Sequence, residues 1–143
     1  MQRCLWLVSI LMLGFGPASS AAAELRASKP EVKKEVIAAV EAQLAAFRAG
    51  DVVKAYSHAA APLRAQSPVR AFMAIVQTNY PEIWASTRAA YGLVRDDGTR
   101  ATVLVHVFSK DGDASFDYVL LKERGGWRIG SVVRHVLRKK DDI

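Results

Sequence analysis

The stretch TVLVHVFSKDGDASFDYVLLKERGGWRIGSVVRH, Thr102–His135, decides the fold. Apolar and polar residues alternate along it, the period of a half-buried strand. Asp111-Gly112 and Gly125-Gly126 interrupt the alternation, and tight hairpins prefer such dipeptides because their backbones tolerate positive φ. With Asp97-Gly98 as a third turn, the pattern predicts four strands: Ile83–Val94, Arg100–Ser109, Ala114–Arg124 and Trp127–Leu137.

Two-residue turns at these dipeptides fix a register. Val107 then faces Phe116, Val105 faces Tyr118 and His106 faces Asp117; on the next pair Arg124 faces Trp127, Tyr118 faces Val133 and Asp117 faces Arg134. One face gathers Val103, Val105, Val107, Phe116, Tyr118, Leu120, Trp127, Ile129, Ser131, Val133 and His135, and is the expected core face. The other carries Leu104, Phe108, Val119 and Val132 around a polar row, His106–Asp117–Arg134. Opposite charges across strands contribute about 0.2–1 kcal/mol each, so His106 is read as a structural partner of Asp117 rather than as a catalytic base. Apolar residues on that outer face are the expected surface of a homodimer.

Upstream of the sheet lie three helix signals. Ser28 to Glu31, SKPE, has the spacing of a capping box, and Val36, Val40, Leu44 and Phe47 follow at helical intervals. Asp51 is placed to cap a second helix, VVKAYSHAA, that Pro62 stops. Ser67-Pro68 opens a third, with Val69, Phe72, Met73, Val76 and Tyr80 as its apolar stripe and Pro81 as its end. Helices first and a hairpin-linked antiparallel sheet afterwards predict an α+β fold, three N-terminal helices packed on a curved four-stranded sheet.

The N-terminus reads as a secretory signal. Arg3 precedes an apolar run from Leu5 to Phe15, and Ala21-x-Ala23 supplies small residues for cleavage. Residues 1–23 are therefore expected to be removed, leaving a single domain over 24–143 in the periplasm or outside the cell. The apolar run is shorter than the ~20 residues a bilayer span needs, so no stable membrane insertion of the mature chain is expected. Cys4 leaves with the signal, and the remaining 143 − 23 = 120 residues have no cysteine for a disulfide or a thiolate. Loss of Arg3 takes the formal charge from +6 to +5. Much of the excess sits in RHVLRKKDDI, where Asp141 and Asp142 interrupt the basic run and mark a solvated tail. No aromatic residues alternate with the basic ones, so nucleic acid is not an expected partner. His58, His106 and His135 lie on different elements, which gives no metal spacing and no implied cofactor.

Three stretches carry a resemblance: QLAAFRAGDVVKAYSHAAAP (Gln43–Pro62), SPVRAFMAIVQTNYP (Ser67–Pro81) and GGWRIGSV (Gly125–Val132). With the element order, they resemble the nuclear-transport-factor-2-like, or cystatin-like, α+β cone. More narrowly, they resemble small secreted bacterial proteins known only as a domain of unknown function. The resemblance implies a cone with a cavity between helices and sheet. It implies no reaction, because fold does not carry function. The residues expected to line such a cavity are Gln43, Phe47, Tyr56, Phe72, Val76, Tyr80, Trp84, Tyr118, Trp127, Ser131 and His135, a set suited to an apolar small molecule held by a few polar tips. Two functions stand beside each other. One is a binding or interaction module. The alternative is a small cofactor-free isomerase, lyase or hydrolase, which needs a base inside the cone. By register the only interior candidates for that base are His135 and, second, His58, with Tyr56 or Tyr118 as donor to a developing oxyanion.

Overall fold

The computed structural model describes residues 24–136. The expected signal segment 1–23, and the basic tail beyond Val136, lie outside the described residues. The fold is α+β, with five helices on an open antiparallel sheet. In chain order the elements are β1 (Arg26–Ala27), α1 (Pro30–Arg48), α2 (Val52–Ser57), α3 (Ala61–Gln66), α4 (Val69–Asn79), α5 (Pro81–Trp84), β2 (Ser86–Tyr91), β3 (Arg95–Asp96), β4 (Arg100–Ser109), β5 (Ala114–Glu123) and β6 (Gly126–Arg134). No described helix is long and apolar enough to cross a membrane.

The helix signals place α1, α2 and α4 and miss two short helices. Val36, Val40, Leu44 and Phe47 all lie in the core, as the period of α1 requires. Asp51 caps α2 by accepting from Lys54 N at 3.0 Å. Pro62 and Pro81, read as stops, occupy the first turns of α3 and α5; α4 does end just before Pro81, at Asn79. Proline suits either place, since a missing N–H is lost at a helix start and breaks the ladder further in. Ser28 is not a cap: its hydroxyl bonds the Asp96 carboxylate, and Lys29 holds the N-cap position. Ser67 is likewise displaced, with Pro68 at the N-cap of α4.

The expected first strand is broken. Ile83 belongs to α5, only Ser86–Tyr91 is strand (β2), and a separate short strand, β3, follows just past the expected end; β2 and β3 pair with successive parts of β4. β4, β5 and β6 form the expected meander, and β1 extends the edge beside β3.

Both hairpins turn one residue earlier than the glycine pairs suggest. The first turn centres on Lys110-Asp111, so Val107 pairs with Ala114, Val105 with Phe116 and His106 with Ser115. The second leaves Glu123 opposite Gly126 and Lys122 opposite Trp127. Gly112 and Gly126 take the residue after the turn, at φ of 128° and 121°, a conformation that side-chain-bearing residues rarely adopt. The faces survive, because moving a turn by one residue shifts the pairing sum by two. Val103, Val105, Val107, Phe116, Tyr118, Leu120, Trp127 and Ile129 are all buried against the helices.

The faces invert past Ile129. Leu120 pairs with Ile129, but Val119 pairs with Ser131, which leaves Gly130 as one extra residue in β6. That is a β-bulge, and it exchanges inside for outside in everything beyond it. Val132 comes to pair with Tyr118 and Arg134 with Phe116, both on the helix side. Val133 is 59 % exposed. Gly130 also packs closely: a Cβ there would stand 3.1 Å from Leu121 Cγ.

The free edge of β6 is closed by the helical layer. Ile129 N donates to His58 O at 2.8 Å, and Ala60 N donates to Ile129 O at 2.7 Å. Farther along, the Tyr80 hydroxyl donates to Val132 O at 3.0 Å.

Candidate functional site

A cavity of about 260 Å³ lies between the helices and the end of the sheet around Tyr118 and Ile129. α1 contributes Gln43 and Phe47, α3 Leu63 and Gln66, and α4 Phe72, Ile75 and Val76. Tyr80 and Ile83 stand at the α4–α5 junction, and the β6 wall is Ile129 to Val132, with the bulge at Gly130. None of the wall residues carries a charged side chain. The bulge builds this wall as well as inverting the strand, since it brings Val132 to the helix side.

Three polar groups of the wall differ in how they are held. Gln43 is buried and donates Nε2 to Ala55 O at 3.1 Å, which fixes its amide. Tyr80 spends its hydroxyl on Val132 O. Tyr118 is only 1 % exposed, and its hydroxyl has no hydrogen-bond partner among the described residues. Burial, reinforced by Tyr80, raises the Tyr118 pKa, so the phenol stays protonated and is a donor in want of an acceptor. An unpartnered buried hydroxyl costs about 1–3 kcal/mol.

Of the expected lining, Gln43, Phe47, Phe72, Val76, Tyr80, Tyr118 and Ser131 belong to this wall. Four residues do not. Tyr56 packs its ring edge-on against Phe72, 5.3 Å between centroids, and its hydroxyl sits 2.7 Å from Ser67 O and 2.9 Å from Arg64 O. Trp84 lies behind Phe47, with ring centroids 5.9 Å apart. Trp127 is a buried core residue with Lys122 Nζ 5.3 Å from its ring centre. His135 is on the opposite face: the bulge turns it outward, where Nδ1 lies 2.8 Å from Asp117 Oδ2.

The polar row on the outer face is also repartnered. His106 Nδ1 lies 2.8 Å from Ser115 Oγ, its Nε2 lies 3.9 Å from Asp113 Oδ2, and its ring edge meets Phe108. Arg134 leaves that row, reaches around to the helical side and forms a bidentate pair with Glu82 at 3.0 Å per bond. The guanidinium holds the Glu82 carboxyl below its ordinary range. His58 has its pKa lowered by burial and then by Arg128 and Lys54, and its main chain serves the β6 edge. Neither His58 nor His135 is part of the cavity wall. Sequence reasoning missed Leu63, Gln66, Ser67, Ile75, Ile83, Ile129, Gly130 and Val132 as wall residues. Gly130, alone inside an apolar strand pattern, is itself the mark of a bulge and was the available signal for that end of the wall. α3, hidden behind Pro62, accounts for Leu63 and Gln66.

Among the described residues no three His, Cys, Asp or Glu side chains are grouped to hold a metal ion. No curated protein and no solved structure matched the chain. A family model matches residues 29–142, nearly all of the chain beyond the apolar N-terminus, and the chain therefore belongs to the family described as Domain of unknown function (DUF4864).

Proposed function

We propose that the chain is an exported module that binds a small uncharged, largely apolar molecule between its helices and its sheet. The fold is read here as a nuclear-transport-factor-2-like cone, the architecture that the helix order and the helix-covered meander resemble. Export rests on the basic, apolar and small-residue succession of residues 1–23. The observation that carries binding is the cavity of about 260 Å³ with no charged side chain in its wall. Natural small-molecule sites share that character, apolar walls with few polar groups.

Proton-transfer chemistry has less support. The two histidines that could serve as interior bases lie outside the wall, and the wall supplies only amides, hydroxyls and phenols. A general base must come within hydrogen-bond reach of the proton it removes.

Titration of the purified chain with indole, followed by NMR, tests the reading. Resonances of Phe72, Val76 and Ile129 should move together and saturably. Shifts confined to the outer face, at Phe108, Val119 and Val133, would overturn it.

A further inference from the structure

We infer that the molecule bound in this cavity is a neutral carbonyl compound of about one ring, such as a ketone, ester or amide, whose oxygen accepts a hydrogen bond from Tyr118. The inference rests on the binding reading above and adds the chemistry of the guest. Two observations carry it: the wall has no charged side chain, and Tyr118, part of that wall, is almost wholly buried with an unpartnered hydroxyl.

The first observation selects against ions. Burying a carboxylate or an ammonium without a partner is far costlier than burying a neutral group. The second selects for an acceptor. A phenol can also accept, but its donor proton is what meets no main-chain or side-chain oxygen among the described residues. The oxygen has almost no accessible surface, so an acceptor reaches it only as the side chains beside it give way. A lone buried water typically needs about three polar partners, and the side-chain polar groups of the wall, Gln43, Gln66, Ser67, Tyr80, Tyr118 and Ser131, are set among apolar neighbours. A carbonyl needs one donor, and the rest of its molecule can rest on the apolar wall. Gln43 spends one N–H of its Nε2 on Ala55 O, which fixes the amide and leaves only its second N–H as a further donor. Tyr80 is likewise committed to Val132 O.

Three probes of nearly equal shape separate the possibilities: acetophenone, α-methylstyrene, in which a methylene replaces the oxygen, and benzoate. Dissociation constants are measured by NMR titration on the wild-type chain and on Tyr118→Phe. The phenol-to-phenyl change should weaken acetophenone roughly three- to tenfold, the worth of one hydrogen bond, and leave α-methylstyrene within about twofold. Benzoate should bind the wild type at least about tenfold more weakly than acetophenone. Binding of both neutral probes with the same ratio in wild type and variant overturns the Tyr118 inference and leaves the cavity reading standing. Binding of neither neutral probe sinks the cavity reading itself, and benzoate as the tightest of the three overturns the neutral class. Infrared spectroscopy on the wild type needs no variant. The carbonyl stretch of bound acetophenone should fall relative to that in hexane, and an unshifted band overturns the hydrogen bond.

Discussion

β6 is one strand with two characters. From Trp127 to Ile129 its side chains obey the alternation read from the hairpin, and Trp127 and Ile129 are core. From Val132 to Arg134 the same alternation places every residue on the wrong face. The difference is one glycine. Shifts of two in pairing leave a pleated strand's faces intact, and a single extra residue exchanges them. The displaced turns therefore changed cross-strand partners and left the faces alone, whereas one unrecognised bulge moved His135 out of the site and Val132 into it.

The largest test of that contrast is a pair of alanine substitutions on either side of the bulge. Trp127→Ala removes a buried aromatic and should cost about 3–5 kcal/mol. Val133→Ala, at a position 59 % exposed, should cost less than about 1 kcal/mol. Denaturant unfolding measures both, and equal losses would erase the distinction between the two halves.

Gly130→Ala addresses the hinge between them. The added Cβ meets Leu121 Cγ at 3.1 Å and Val119 O at 3.4 Å. The half-buried Leu121 side chain can yield in part, so a loss of about 1 kcal/mol is expected, at the low end for overpacking. A neutral or stabilising result in the same unfolding assay would show that the bulge does not depend on glycine.

The smallest effect tests where Arg134 points. Its pairing depresses the Glu82 pKa below 4.5, so the pair stabilises the fold at neutral pH. That stability is lost as pH falls from the unfolded value near 4.5 through the lower folded one. Arg134 stays 43 % exposed, and solvent screening limits the pair to about 0.2–1 kcal/mol. Wild type should exceed Glu82→Gln in stability at pH 7, with the gap closing toward pH 3. A gap independent of pH would return Arg134 to the outer face.

The α+β class, the meander and most of the core were legible because hydrophobic period and turn chemistry are local. Val36, Val40, Leu44 and Phe47 needed nothing but their spacing. The pairings of His106 and Asp117 were not legible. They depend on which two residues of SKDGD sit at the turn, and Lys110-Asp111 and Asp111-Gly112 are both chemically acceptable there. Ser115 could not be named as the partner of His106 until that choice was made. Pro62 was ambiguous for a different reason: the same ring ends one helix or begins another, and only the missing α3 reveals which. The cavity therefore emerged with seven expected members, but its outer residues, supplied by α3 and by the bulge, required the tertiary structure.

Ile129 has both main-chain groups tied to residues about seventy positions earlier, His58 and Ala60. A loop this long is closed late and at high entropic cost, so the join belongs to the cooperative end of folding. Until it forms, β6 presents an unpaired strand edge, the template on which chains pair with one another and aggregate. The same two hydrogen bonds that finish the wall of the cavity thus also cover part of that edge once the fold is complete.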